Sequence, residues 1–159
     1  MEVGQLRRAA AVLLAAVLAT GAPMPNRMLA AHNAVRAQLG EPPLTWSPAL
    51  ARYAQQWADH LASERAFYHR PNPRFGENLF MIEGDNALVP PEEVVRAWAG
   101  EARHYNERTN SCRGVCGHYT QIVWRSTREV GCAAARSDGY EVWVCNYNPP
   151  GNIIGERPY

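Results

Sequence analysis

The chain has 159 residues, with 16 Lys+Arg against 15 Asp+Glu and a formal net charge of +1. That near-neutral balance, with no run of basic residues, gives no electrostatic drive toward nucleic acid, and 47% hydrophobic with 19% charged residues excludes a disordered chain. The length suffices for one domain with a real core, and not for two comfortable ones.

Arg7 and Arg8 precede an unbroken apolar run, Ala9 to Ala19. A basic segment, an apolar stretch and small residues read as a secretory signal over 1–22, cleaved between Ala19 and Ala22. As a membrane anchor the run falls short of the roughly 20 residues that cross a bilayer. The mature domain is then expected over 26–159. Asn26 is a candidate N-cap for a helix through "RMLAAHNAVRAQL", with Gly40 as its stop. Ser47 as N-cap and Pro48 at the first position open a second helix, "SPALARYAQQWADHLASE". Its Leu50, Tyr53, Ala54, Trp57 and Leu61 form one apolar stripe. A loop rich in Pro and Arg covers 70–74, and "FGENLFMI" follows as a candidate strand. "VPPEEVVRAWAGEARHY" reads as a third helix, with Pro and acidic residues at its start. From Tyr119 the pattern turns to β: "TQIVWRS", "EVGCAAARS" and "YEVWVCNYN". The tail "PPGNIIGERPY" is too broken by Pro and Gly for regular structure. Helices first and strands later predict an α+β fold, an antiparallel sheet covered by helices.

Four cysteines in an exported chain favour two disulfides, with three possible connectivities. Asp138-Gly139 between alternating apolar stretches is a strong hairpin signal. A two-residue turn there pairs Ser137 with Tyr140 and, counting outward, Cys132 with Cys145. The ladder makes that a non-hydrogen-bonded pair, with Cα atoms about 4.5 Å apart, which suits a cross-strand bridge. Cys112 and Cys116 would then close the small loop "CRGVC"; the metal alternative lacks C-x-x-C spacing.

Val94, Trp98, Glu101 and Tyr105 share one side of the third helix, so a carboxylate is aimed where ionised groups are costly to bury. It requires a cation, a metal or strong donors. Among the five histidines, His60 reads as solvent-facing, His104 as a partner one turn after Glu101, and His32 as a structural ring bonded within the first helix. His69 in "FYHRPNPRFGEN" and His118 in "CGHYTQ" stand at element edges and read on chemistry alone as core residues first, with a site role as the alternative. With Glu77 and Glu101 they can form a divalent-metal site, zinc first, or a metal-free hydrogen-bonded network.

At these residues the chain resembles the CAP superfamily of cysteine-rich secretory proteins, insect venom allergens and plant pathogenesis-related class-one proteins. "AAHNAVR", "LTWSPALARYAQQWA", "FGENLF", "VCGHYTQIVWRSTREVGCA" and "VCNYNPPGNIIGERPY" are similar to its signatures, in its order, from about Met28 to Tyr159. The plant class and its bacterial relatives look nearest. The resemblance implies a three-layer α-β-α sandwich whose cleft carries His69, Glu77, Glu101 and His118, able to hold zinc or another divalent ion on the histidines. It also shows departures. Two cysteines usual in the plant proteins would fall near Arg65 and Ser137, and "CRGVC" is shorter than usual.

The resemblance implies a secreted, extracellular and monomeric module, defence-related, with a sterol or fatty-acid ligand and neither nucleic acid nor stable membrane insertion. Two alternatives stand beside it. One is a zinc-dependent hydrolase using the same four residues, although the chain has no H-E-x-x-H or G-x-S-x-G. The other is a precursor releasing the segment 149–159 as a signal, which requires that stretch to be exposed.

Overall fold

The computed structural model describes residues 21–84 and 89–159, so the signal-like run from Ala9 to Ala19 lies outside the described residues. In chain order the elements are α1 (Met24–Ala37), β1 (Thr45–Trp46), α2 (Pro48–Glu64) and β2 (Gly76–Glu83). Then come α3 (Pro91–Ala99), a 3-10 turn (Gly100–His104), β3 (Tyr105–Asn106), β4 (Ser111–Cys112), α4 (Gly117–Ile122), β5 (Glu129–Ser137) and β6 (Tyr140–Asn148).

The hairpin of β5 and β6 is the centre of the molecule. Asp138 and Gly139 both take positive φ, 45° and 75°, the pair of left-handed residues that a tight type I′ turn requires. The register that follows sets Ser137 against Tyr140 and Cys132 against Cys145. Those cysteines are bonded, with Cα atoms 4.1 Å apart, and Cys112 is bonded to Cys116. Both pairings read from the hairpin count are present.

The four-stranded sheet has the order β1-β5-β6-β2. β2–β6 and β5–β6 are antiparallel as expected, whereas the two-residue β1 runs parallel to β5. It does so because it leads straight into α2: Ser47 N–H donates to the Val130 carbonyl (2.9 Å), and its hydroxyl accepts from Leu50 N–H. Gly131 permits this close seating, since a Cβ there would lie 2.3 Å from the Ala51 nitrogen.

Alternation along the strands sends two sets of side chains to opposite faces. On one face α2 lays Ala54, Trp57, Ala58 and Leu61 against Leu79, Ala133, Val142 and Val144. On the other, α1, α3 and α4 lay Met28, Val94, Val95, Trp98, Ile122 and Val123 against Val130, Cys132, Trp143, Cys145 and Tyr147. Helices on both faces of a sheet make an α-β-α sandwich. Among the described residues no helix is long and apolar enough to cross a membrane.

Three local expectations are corrected. α1 begins at Met24 with Pro23 as its N-cap, and the Asn26 and Arg27 N–H groups donate to the Pro23 carbonyl, so Asn26 lies inside the first turn. The α-helical path of the third helix ends at Ala99 and tightens to 3-10 before Glu101. "TQIVWRS" is no strand: its first residues complete α4, and its β-branched propensity loses to tertiary bonds. The buried Arg36 guanidinium donates from Nη1 to the Ile122 and Trp124 carbonyls (2.8 and 2.9 Å), satisfying the helix end.

Candidate functional site

Glu101 is the residue that the apolar stripe made conspicuous. In the 3-10 turn its side chain keeps 17% of its surface exposed and faces the start of α4. Oε2 accepts the backbone N–H of His118 (3.0 Å) and of Tyr119 (3.4 Å), and Oε1 accepts from His118 Nδ1 (2.7 Å). Three donors replace the water that the carboxylate gave up. The His118 ring is stacked over Trp98, with centroids 6.0 Å apart and planes 12° from parallel. Glu101 thus orients the imidazole and holds the helix that carries it.

Glu77 begins β2 and pairs in register with Asn146. Its side chain is only 3% exposed. Oε1 accepts from His69 Nδ1 and from the Arg70 backbone N–H, both at 2.9 Å, and Oε2 accepts from Asn146 Nδ2 at 3.4 Å. The His69 ring remains 62% exposed. The Glu77 carboxylate, by its hydrogen bond first, holds the His69 imidazole above the usual histidine pKa, against the opposing effect of burial.

Between the pairs runs a polar chain through the three-helix face. Asn78 Nδ2 donates to the His118 carbonyl (3.0 Å) and to the Tyr147 hydroxyl (3.1 Å). That hydroxyl lies 2.9 Å from His32 Nε2, and His32 Nδ1 lies 2.8 Å from the Met28 carbonyl. A carbonyl only accepts, so the His32 proton sits on Nδ1, and Nε2 accepts from Tyr147. Burial pushes the His32 pKa down to about 4.

A cavity of about 280 Å³ adjoins His69 and Glu77, walled by Phe75, Gln121 and the tail residues Pro150 and Asn152. Glycines let its walls approach: a Cβ on Gly76 would lie 2.2 Å from Gln121 Oε1, and one on Gly151 2.6 Å from Trp124 Cγ. The tail lacks regular structure, as its Pro and Gly predicted, yet it is tied down. Thr120 Oγ1 donates to Asn152 Oδ1 (2.6 Å), Asn152 Nδ2 to the Gly117 carbonyl (2.8 Å), and the Gly151 N–H to Gln121 Oε1 (3.0 Å). Farther on, the Arg125 N–H donates to the Pro158 carbonyl (2.6 Å), and the Tyr119 and Tyr159 hydroxyls meet at 3.2 Å.

The four sequence candidates are therefore joined two by two, each imidazole to one carboxylate. No direct hydrogen bond links one pair to the other, and no three of the four have ligand atoms mutually within 4.8 Å. Among the described residues, the only three donors of His, Cys, Asp or Glu within 4.8 Å of one another are those of His32, Cys132 and Cys145. Both of those sulfurs are bonded to each other, so that trio is no metal site. At His69 and His118 the chemistry does suit a divalent ion: each ring is oriented at Nδ1 by a carboxylate, as metal-bound histidines commonly are. Two imidazoles fall short of the three protein ligands of a typical catalytic zinc.

The other histidines sit elsewhere. His104 does not pair with Glu101; its Nδ1 donates to the Val115 carbonyl (2.9 Å). His60 is less solvent-facing than expected, stacked on Trp57 and 2.8 Å from the Tyr68 hydroxyl. Asn78, Gln121 and Tyr147 escaped sequence reasoning; only Asn78, inside "FGEN", lay beside a residue already singled out. Near the starts of α1 and α2 a separate, mostly apolar groove of about 350 Å³ is lined by Met24, Pro25, Trp46, Pro48 and Ala133.

Residues 29–147 match the family described as the cysteine-rich secretory protein family, CAP. Pathogenesis-related protein 1 of Arabidopsis thaliana is 43% identical over 130 residues, 81% of this chain and 78% of that protein. The basic form of pathogenesis-related protein 1 from Nicotiana tabacum is 43% identical over 141 residues, 85% of this chain and 75% of that one. Among solved structures, venom allergen-like protein 4 of Schistosoma mansoni superposes with a TM-score of 0.68 at 29% identity, covering 87% of this chain and 94% of its own. The crystal structure of NaASP2 with Zn2+ superposes with a TM-score of 0.71 at 25% identity, covering 86% and 84%.

Proposed function

The chain belongs to the cysteine-rich secretory protein family, and from that premise we propose that it is a secreted, defence-related binding module whose cleft takes a divalent cation on His69 and His118. One observation carries the reading: each imidazole is engaged at Nδ1 by a carboxylate, at 2.9 Å and 2.7 Å, which leaves Nε2 as the atom for a ligand. Glu77 and Glu101 act as positioning residues, holding ring and tautomer. The zinc carried by a structural relative supports the choice of ion. When bound, the ion supplies positive charge and a site for an oxygen ligand. His69 and His118 would hold it, and the cavity beside Gln121 and Asn152 would receive what it binds.

The two disulfides and the names of the plant relatives support export and a defence role. A sterol or fatty acid suits the apolar groove around Trp46 and Ala133 better than the polar cleft, because its volume of about 350 Å³ lies within the range of small-molecule sites.

Calorimetric titration with zinc tests the cleft. His118→Ala and His69→Ala should each weaken binding at least about tenfold, and Glu101→Gln should weaken it by a similar factor through loss of orientation. A His118→Ala variant that binds zinc as tightly as the parent overturns the assignment.

A further inference from the structure

The ribbon of β3 and β4 carries a polar cavity of about 420 Å³ that shares no lining residue with the His–Glu pairs. Arg103, Arg108 and Arg113 line it, with Glu107 as the one carboxylate, and His104 completes one side. Among the described residues none of these three arginines forms an ion pair. A fourth guanidinium, Arg157, reaches across from the tail and donates to the backbone carbonyls of Glu107 and Arg108. Three guanidiniums line the cavity beside one carboxylate, with Arg157 bonded to the backbone behind two of its lining residues; their like charges repel, and an anion in the cavity would relieve that repulsion.

One of these groups is held in advance. The Val115 carbonyl fixes the His104 proton on Nδ1, so His104 Nε2 is the acceptor for Arg103 Nε–H at 3.1 Å. The ring thus anchors Arg103 by its Nε and leaves both terminal nitrogens to face a ligand. Planar guanidinium forks match the oxygens of a tetrahedral oxyanion, which a lysine cluster would grip only as point charges. We propose that this cavity binds a phosphate or sulfate monoester, with Arg103, Arg108 and Arg113 as the contacting residues and His104 as a positioning residue.

Titration of the disulfide-bonded protein with inorganic phosphate and, separately, inorganic sulfate tests this, read by calorimetry and by the Arg103 Nε–H resonance. Saturable binding of either anion is expected, weaker at high salt; the tighter of the two identifies the ester. The double variant Arg108→Gln/Arg113→Gln should weaken it at least about tenfold. Arg52→Gln/Arg74→Gln, on arginines outside the cavity, should leave it unchanged, as should His118→Ala, which separates this site from the metal cleft. Absence of saturable binding by both anions, or an equal loss in the Arg52/Arg74 control, overturns the proposal.

Discussion

His32 sits in the three-helix face with no exposed surface, held between a carbonyl and a phenol, while His69 stands at the mouth of the cleft with most of its ring in water and a carboxylate at Nδ1. The first is driven down to a pKa of about 4 by burial, and the second is raised by Glu77. The same side chain is therefore a neutral strut in one region and a chargeable, solvent-facing group in the other. What separates them is the partner, since an imidazolium has no counter-charge beside Met28 and Tyr147 and has one beside Glu77.

The sharpest way to break that contrast is acid. Unfolded His32 takes up a proton near pH 6.5, and folded His32 only near 4. The depressed folded value means that stability is full above about pH 6.5 and is lost as pH falls toward 4, by about 3 kcal/mol from this ring alone. Urea melts across that window should show the loss in the parent and a flatter profile in His32→Gln. Equal slopes in the two proteins would remove the burial argument. Next in size is Glu101→Ala, which strands two backbone N–H groups and the His118 ring at a half-buried site. A loss of about 2 kcal/mol is expected in the same melts. Smallest is Glu77→Gln, in which the His69 pKa should fall back toward the ordinary histidine value, as read by NMR titration of the ring. Because the folded pKa is raised, the stability of that pair is present below about pH 6.5 and fades as pH climbs through the folded value. With the ring so exposed, the amount is a few tenths of a kcal/mol at most.

Much of the scaffold was legible because its signals are local. Ser47-Pro48 marks a helix start, Asp138-Gly139 permits only a few turns, and the turn then dictates which cysteines face each other. α4 was not legible, because Thr120, Ile122 and Val123 favour a strand and the groups that overrule them, Arg36 and Glu101, come from distant segments. The site divides in the same way. Glu101 was conspicuous from its spacing alone, which left both the neighbouring His104 and the distant His118 as partners; the fold supplies His118, while His104 bonds the Val115 carbonyl. His32 as a structural ring followed from its helix, though Tyr147, its second partner, lies 115 residues away. Resemblance supplied the grouping of His69 with Glu77; the residues alone left it open.

The tail has a consequence for anyone looking for a released peptide. Between Asn152 and Tyr159 it is fastened to α4, to the β3–β4 ribbon and to the chain after Trp124. A protease that severed the backbone near Pro149 would produce a nicked protein, not yet a free messenger. The fragment would stay docked until those contacts let go, so the rate of any signal would be set by an off-rate as well as by cutting.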